Sequence, residues 1–295
     1  MPTLALTPQA FIALLLLACT FAGNHVAARV AFDHGVDVVT AVAARSLGTA
    51  LVVSLLVAWQ RVPLKHSARH RRFMVLIALL VTVQSVFLYA AVARMPVGLA
   101  LLVFNSYPIW ATLAARVFYG IRPERAVLIA IPVILLGLVL ALDIVRVAGS
   151  GGSAIVGPGV AFALGGAAAF GLVLALTQHE VADLDGRVRS AFTMAVVGVL
   201  ALGAAAAGGG LHWPTAAAGW WGLIALTALY GTAFTAVFTL LPKLGAVSNS
   251  PILNIEPVAA LVFGWLILGQ MVSPLQWLGA LIVVGAVMAL GLRRR

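Results

Sequence analysis

Glu256 is the one acidic side chain deep inside an apolar run, about ten residues from the nearer polar boundary, or ~15 Å along a helix. Carboxylates at that depth face a bundle interior or a water-filled path, and they mark a relay, a pair or a binding site. Glu256 could carry a proton or hold a substrate ammonium, and it could equally bond the backbone freed by Pro257. Pro108 and Pro257 each remove a helical hydrogen bond and clash with the carbonyl four residues back. That frees the Phe104 and Leu253 carbonyls beside Asn105 and Asn254. Polar amides at a broken turn serve a hinge or a binding site built on discontinuous helices, or only satisfy the turn. Arg45 lies about eight residues into its own run. It could snorkel to the headgroups along its stem, or stand in a cavity and meet a substrate carboxylate or Glu256. Asn24, His25, Gln84 and Tyr89 are further polar groups inside apolar runs, worth under ~1 kcal/mol as helix-helix bonds or placed on a cavity wall. Tyr107, Trp110 and Tyr230 lie too deep for an interfacial aromatic belt. These eleven residues, with Pro108 and Pro257 as hinges, are the expected substrate cavity.

Motifs for other chemistry are missing. The chain has no HExxH, no GxSxG, no Walker loop and no His/Cys/carboxylate cluster with metal spacing, so no catalytic residue, metal or cofactor is expected. Cys19, the single cysteine, excludes an intramolecular disulfide.

The elements that must position these residues follow from composition. Of 295 residues 63% are hydrophobic and only 9% charged, against ~25% charged in soluble domains. Ten apolar runs fit, at about 9–31, 37–59, 73–93, 97–118, 126–143, 158–178, 190–210, 219–241, 245–268 and 275–292. The first, without a basic leader, reads as a retained helix rather than a cleaved signal. The expected fold is therefore an all-α integral membrane protein of ten transmembrane helices in a lipid bilayer. The net charge of +10 would raise nucleic acid as a partner of a soluble chain, but here it sorts by loop. Fourteen of the 18 Lys and Arg lie in the loops after the second, fourth, sixth and eighth spans and at the C-terminus. The opposite loops hold only Arg29, Arg94 and Arg146. That bias places both termini in the cytoplasm and excludes nucleic acid as the cause.

Sliding the chain by 149 residues pairs Phe21 with Phe170, Leu51 with Leu200, Arg94 with Lys243, Asn105 with Asn254, Pro108 with Pro257, Ala111 with Ala260 and Gly120 with Gly269. The expected division is a first repeat over 8–143, a linker over 144–157 and a second repeat over 158–292. Five spans per half is an odd number, so the second half enters from the opposite face. Inverted repeats of this kind hold substrate near the midplane between the halves.

The run Asn254-Ile255-Glu256-Pro257-Val258-Ala259-Ala260, continuing to Gly269 and then Pro274-Leu275-Gln276-Trp277-Leu278-Gly279-Ala280, resembles the signature of EamA-type members of the drug/metabolite transporter superfamily. Tyr107-Pro108-Ile109-Trp110-Ala111 and Gly120 are a weaker copy. The resemblance implies ten helices in two inverted five-helix repeats around a central cavity, and movement of amino acids, other metabolites or drugs, often outward. One recurrent acidic position departs from the pattern: the residues after the two glycines are Ile121 and Gln270 rather than Glu. A Glu there would cap the N-terminus of the next helix, a role Gln can partly fill. The expected function is export of a small organic metabolite, an amino acid first, across a bacterial inner membrane by alternating access. A broad exporter of drugs or lipophilic cations is the alternative, with a channel below it. The small four-helix multidrug relatives carry an acid in their first helix, where this chain has none. The sequence sets no oligomeric state, and a monomer is compatible with it.

Overall fold

The computed structural model describes residues 8–64, 67–123, 125–142, 153–239 and 253–293. Among these, every regular element is helical. The helices are α1 (Pro8–Asp33), α2 (Val38–Trp59), α3 (Ala68–Arg94), α4 (Val97–Tyr119, in two pieces, Val97–Phe104 and Tyr107–Tyr119), α5 (Arg125–Ala141), α6 (Ser153–Glu180), α7 (Gly186–Ala207), α8 (Ala217–Thr239), α9 (Glu256–Leu268) and α10 (Pro274–Arg293). Seven are long and apolar enough to cross a membrane on their own, and α5, α9 and α10 supply shorter apolar helices. The start of the ninth expected span and most of the expected linker lie outside the described residues.

Local chemistry sets the ends. Asp37 accepts from the Thr40 N–H at the start of α2, Ser67 and His70 form a reciprocal cap on α3, and Asp185 accepts from the Arg187 N–H at the start of α7. Arg187 bonded to Asp185 also holds that carboxyl below its usual range. These caps start α3 and α7 earlier than the hydropathy suggests, at Ala68 and Gly186 instead of 73 and 190. α7 stops at Ala207 because Gly208 ends it and Gly209 and Gly210 take positive φ. Pro132 lies within a continuous α5.

Helix pairing carries the repeat. α3 packs on α6 as α8 packs on α1; the second piece of α4 packs on α6 as α9 packs on α1; and α7 packs on α3 as α2 packs on α8. In three further pairs each helix meets its own counterpart: α2 with α7, the first piece of α4 with α9, and α5 with α10. Exchanging the halves maps this scheme onto itself, so a twofold axis relates them. With five helices per half, an odd number, α6 runs opposite to α1 and the repeat is inverted.

α5 and α10 form an outer pair. Leu128, Ile129, Leu136 and Leu281 point outward at 53–65% exposure, as lipid-facing positions of a multi-pass membrane protein do. Their contact depends on Gly279, where a Cβ would overlap the Ala141 nitrogen and the Gly137 carbonyl oxygen. Gly285, on the same helix, faces open space. Gly279→Ala is expected to destabilise the protein by ~1–3 kcal/mol, the usual cost of overpacking. Gly285→Ala is expected to be neutral. Melting temperatures of the two variants in detergent test the pair, and equal values would remove it.

Candidate functional site

The two proline positions begin helices instead of bending them. α4 is interrupted at Asn105 and Ser106, and its second piece starts at Tyr107-Pro108. α9 follows a single 3₁₀ turn over 253–255 and starts at Glu256-Pro257. Proline in a first turn loses no needed N–H and its fixed φ suits the helix. The break in α4 faces the start of α9: the Tyr107 hydroxyl donates to Asn254 Oδ1 at 2.9 Å. Asn105 is 5% exposed, and its Nδ2 finds no acceptor among the described residues.

Arg45 does not snorkel. It is 2% exposed, and its guanidinium stands 4.5 Å from the centre of the Tyr89 ring and 4.1 Å from that of Tyr230. A cation between two ring faces is held through its charge while its edge stays available for hydrogen bonds. On that edge Nη2 donates to Ser85 Oγ at 2.8 Å, and Nε has no partner among the described residues. The Tyr89 hydroxyl donates to Asn24 Oδ1 at 2.9 Å, which fixes the ring from behind. Glu256, which the sequence offered as a partner for Arg45, faces His25 instead, with Nε2 and Oε1 3.4 Å apart. His25 in turn lies edge-on to Tyr89, with 5.7 Å between centroids. Asn24, His25, Arg45, Tyr89, Tyr230 and Glu256 thus form one cluster drawn from α1, α2, α3, α8 and α9.

Between this cluster, the break in α4 and the start of α9 lies a cavity of about 310 Å³, within the size range of small-molecule sites. His25, Arg45, Gln84, Asn105, Tyr107, Tyr230, Asn254, Glu256 and Pro257 line it. Asn24 and Tyr89 stand behind the wall and hold it. Trp110 packs against Gly171 on α6, and Pro108 is not on the wall. Sequence reasoning missed Phe21, Leu88, Leu101, Phe104, Phe170, Phe234 and Leu253 on the wall, and Ser85 as the group holding Arg45. Phe104, Tyr107 and Phe170 contact one another at 5.1–5.9 Å between centroids, and Phe21 and Phe234 flank Tyr230. The pairing of Phe21 with Phe170 at the 149-residue offset was the signal that could have found two of them.

One end of the cavity is sealed. Val97–Val103 is buried throughout, and Gly98 lies so close to Leu261 of α9 that a Cβ would overlap its side chain. In the second piece of α4, toward the face with the basic loops, only Ala114 is buried.

A model of the EamA-like transporter family matches residues 9–142 and again residues 157–292. The chain belongs to the EamA-like transporter family. It is accordingly a multi-pass membrane transporter of small molecules, in a family of transporters and not of enzymes. One solved crystal structure is similar over 95% of this chain and 96% of its own, with TM-score 0.63 and 15% identity, a likeness of fold alone. No curated protein matches the chain. Among the described residues no group of three His, Cys, Asp or Glu could hold a metal.

The family frame gives meaning to Gln270, where many members carry Glu. Its Oε1 accepts from the Val97 N–H at 3.1 Å. Gln270 thus caps the first turn of α4 in the other half, where Pro96 offers no side-chain cap, instead of the next helix in its own half. Gln270→Leu is expected to cost ~0.5–2 kcal/mol, the worth of an N-cap. Gln270→Glu should match or exceed the parent, because a carboxylate suits a helix N-terminus. Melting temperatures of both variants decide this, and an unchanged Gln270→Leu protein would reduce the contact to chance.

Proposed function

We infer that this member exports a small zwitterionic metabolite, an amino acid first, from the cytoplasm across a bacterial inner membrane by alternating access. The observation that carries this reading is Arg45. Among the described residues it is a buried cation with no carboxylate partner, bonded to Ser85 with its Nε unpaired, on the wall of a cavity that Glu256 also lines. A buried charge without a counterion calls for an anion, and a guanidinium edge suits a carboxylate. Glu256 offers the site for an ammonium, and the aromatic wall offers room for an apolar side chain. The basic loops support cytoplasmic termini, and the inverted halves, with the break in α4 facing the start of α9, support alternating access over a fixed pore. The lipophilic-cation reading has one carboxylate to rest on, and His25 competes for it.

The test is uptake into proteoliposomes of a labelled neutral amino acid, of the amine with the same side chain but no carboxylate, and of a lipophilic cationic dye. The amino acid is expected to move, and the amine and dye to be poor substrates. Arg45→Gln should lower amino-acid transport about 10-fold or more, as expected for losing a hydrogen bond to a charged group. Glu256→Gln should insert normally and also transport less. Amine and dye carried as well as the amino acid, with Arg45→Gln unaffected, would replace this reading with that of a drug exporter.

A further inference from the structure

The 149-residue offset lays Asn105 on Asn254 and Tyr107 on Glu256. The bond from Tyr107 to Asn254 therefore has a mate under exchange of the halves, between Asn105 and Glu256. In this structure the mate is not made. Glu256 faces His25 Nε2, while Asn105 Nδ2 is buried without an acceptor among the described residues, although both side chains line the same cavity. The position matching His25 is Leu174, so Tyr107 has no rival partner of that kind. The two pieces of α4 are also packed differently, since the first is buried throughout against α9 and the second, which packs on α6, has only Ala114 fully buried.

We propose that Asn105 is the alternate partner of Glu256. When the cavity opens at the end that is sealed here, Asn105 Nδ2 donates to the Glu256 carboxylate in place of His25, and the bond between Tyr107 and Asn254 is released. This rests on the alternating-access reading, in which inverted halves trade conformations and must trade these bonds as well. The chemistry explains why the repeat keeps Asn at both positions while its neighbour differs. An amide both donates and accepts, so Asn254 can turn its oxygen to a tyrosine hydroxyl and Asn105 its nitrogen to a carboxylate. A buried amide hydrogen without a partner is unfavourable, and the exchange relieves it in one state. Asn105 is thereby a positioning residue for the transport cycle, and the substrate chemistry stays with Arg45 and Glu256.

The test reads the balance between the two states without any substrate. Leu101 is 3% exposed and lies on the cavity wall within the sealed piece of α4. A cysteine there, in a Cys19→Ser background, is alkylated by an impermeant maleimide supplied only from the sealed face, and its rate reports opening at that face. Tyr107→Phe removes a bond of the state described here and should raise the rate about fivefold, the equilibrium worth of one hydrogen bond. Asn105→Leu removes a bond of the other state and should lower it about fivefold. Asn105→Asp combined with Glu256→Gln reverses donor and acceptor and should restore the parent rate, which a purely structural role for Asn105 would not do. Equal rates in all variants, changes of the same sign in the two single variants, or failure of the double variant to recover would overturn the proposal. A cysteine that reacts but ignores Asn105 leaves the transport reading intact. One that never reacts in any variant removes alternating access and this inference together.

Discussion

The absence of water in the membrane core is the constraint on which the rest depends. A helix broken in hydrocarbon exposes backbone and side-chain polar groups that only protein can satisfy, and this chain breaks α4 at the position that the 149-residue offset matches to the start of α9. It sets that break against the start of α9. Tyr107 on one side reaches Asn254 on the other, so polar side chains of the two halves meet each other there instead of lipid. The same geometry keeps a pocket of polar side chains away from lipid. Arg45, His25 and Glu256 line it.

Around that junction the packing is uneven. At the sealed end the closure is tight: Gly98 admits Leu261, and Gln270 reaches across from the second half to cap α4. At the basic face the ties have longer reach. Glu180 at the end of α6 takes Arg69 from α3 and the Tyr119 hydroxyl from α4, at 2.5 and 2.9 Å, and Arg187 at the start of α7 meets Gln60 at the end of α2. Polar contacts between solvated helix ends exchange readily with water, whereas interdigitated apolar packing has to separate as a unit.

Much of the scaffold was legible in the sequence because hydrophobic length and loop charge are properties of the chain itself. Ten spans and the odd number per half follow from them, and the 149-residue offset follows from the paired identities such as Asn105 with Asn254 and Pro108 with Pro257. The cavity was legible wherever a polar residue interrupted an apolar run, which is how His25, Arg45, Gln84, Asn105, Asn254 and Glu256 were found. Phe104, Phe170 and Phe234 were not, since a cavity phenylalanine and a core phenylalanine read alike. Hydropathy gave the depth of Arg45 but not its direction, which is set by Tyr89, Tyr230 and Ser85 on neighbouring helices. The partner of Gln270 lies 173 residues away, beyond any local capping rule, and a cap expected within one half proved to cross between halves.

The central claim is that two inverted halves, meeting where the break in α4 faces the start of α9, reorient around one cavity. Spin labels on introduced cysteines, in a Cys19→Ser background, can measure the distance between α4 and α9 at the sealed end and, separately, between α4 and α8 at the basic face. The account predicts that adding a transported amino acid redistributes both distances in opposite senses, one end widening as the other narrows. Distances that stay fixed, or that change together at both ends, would contradict it.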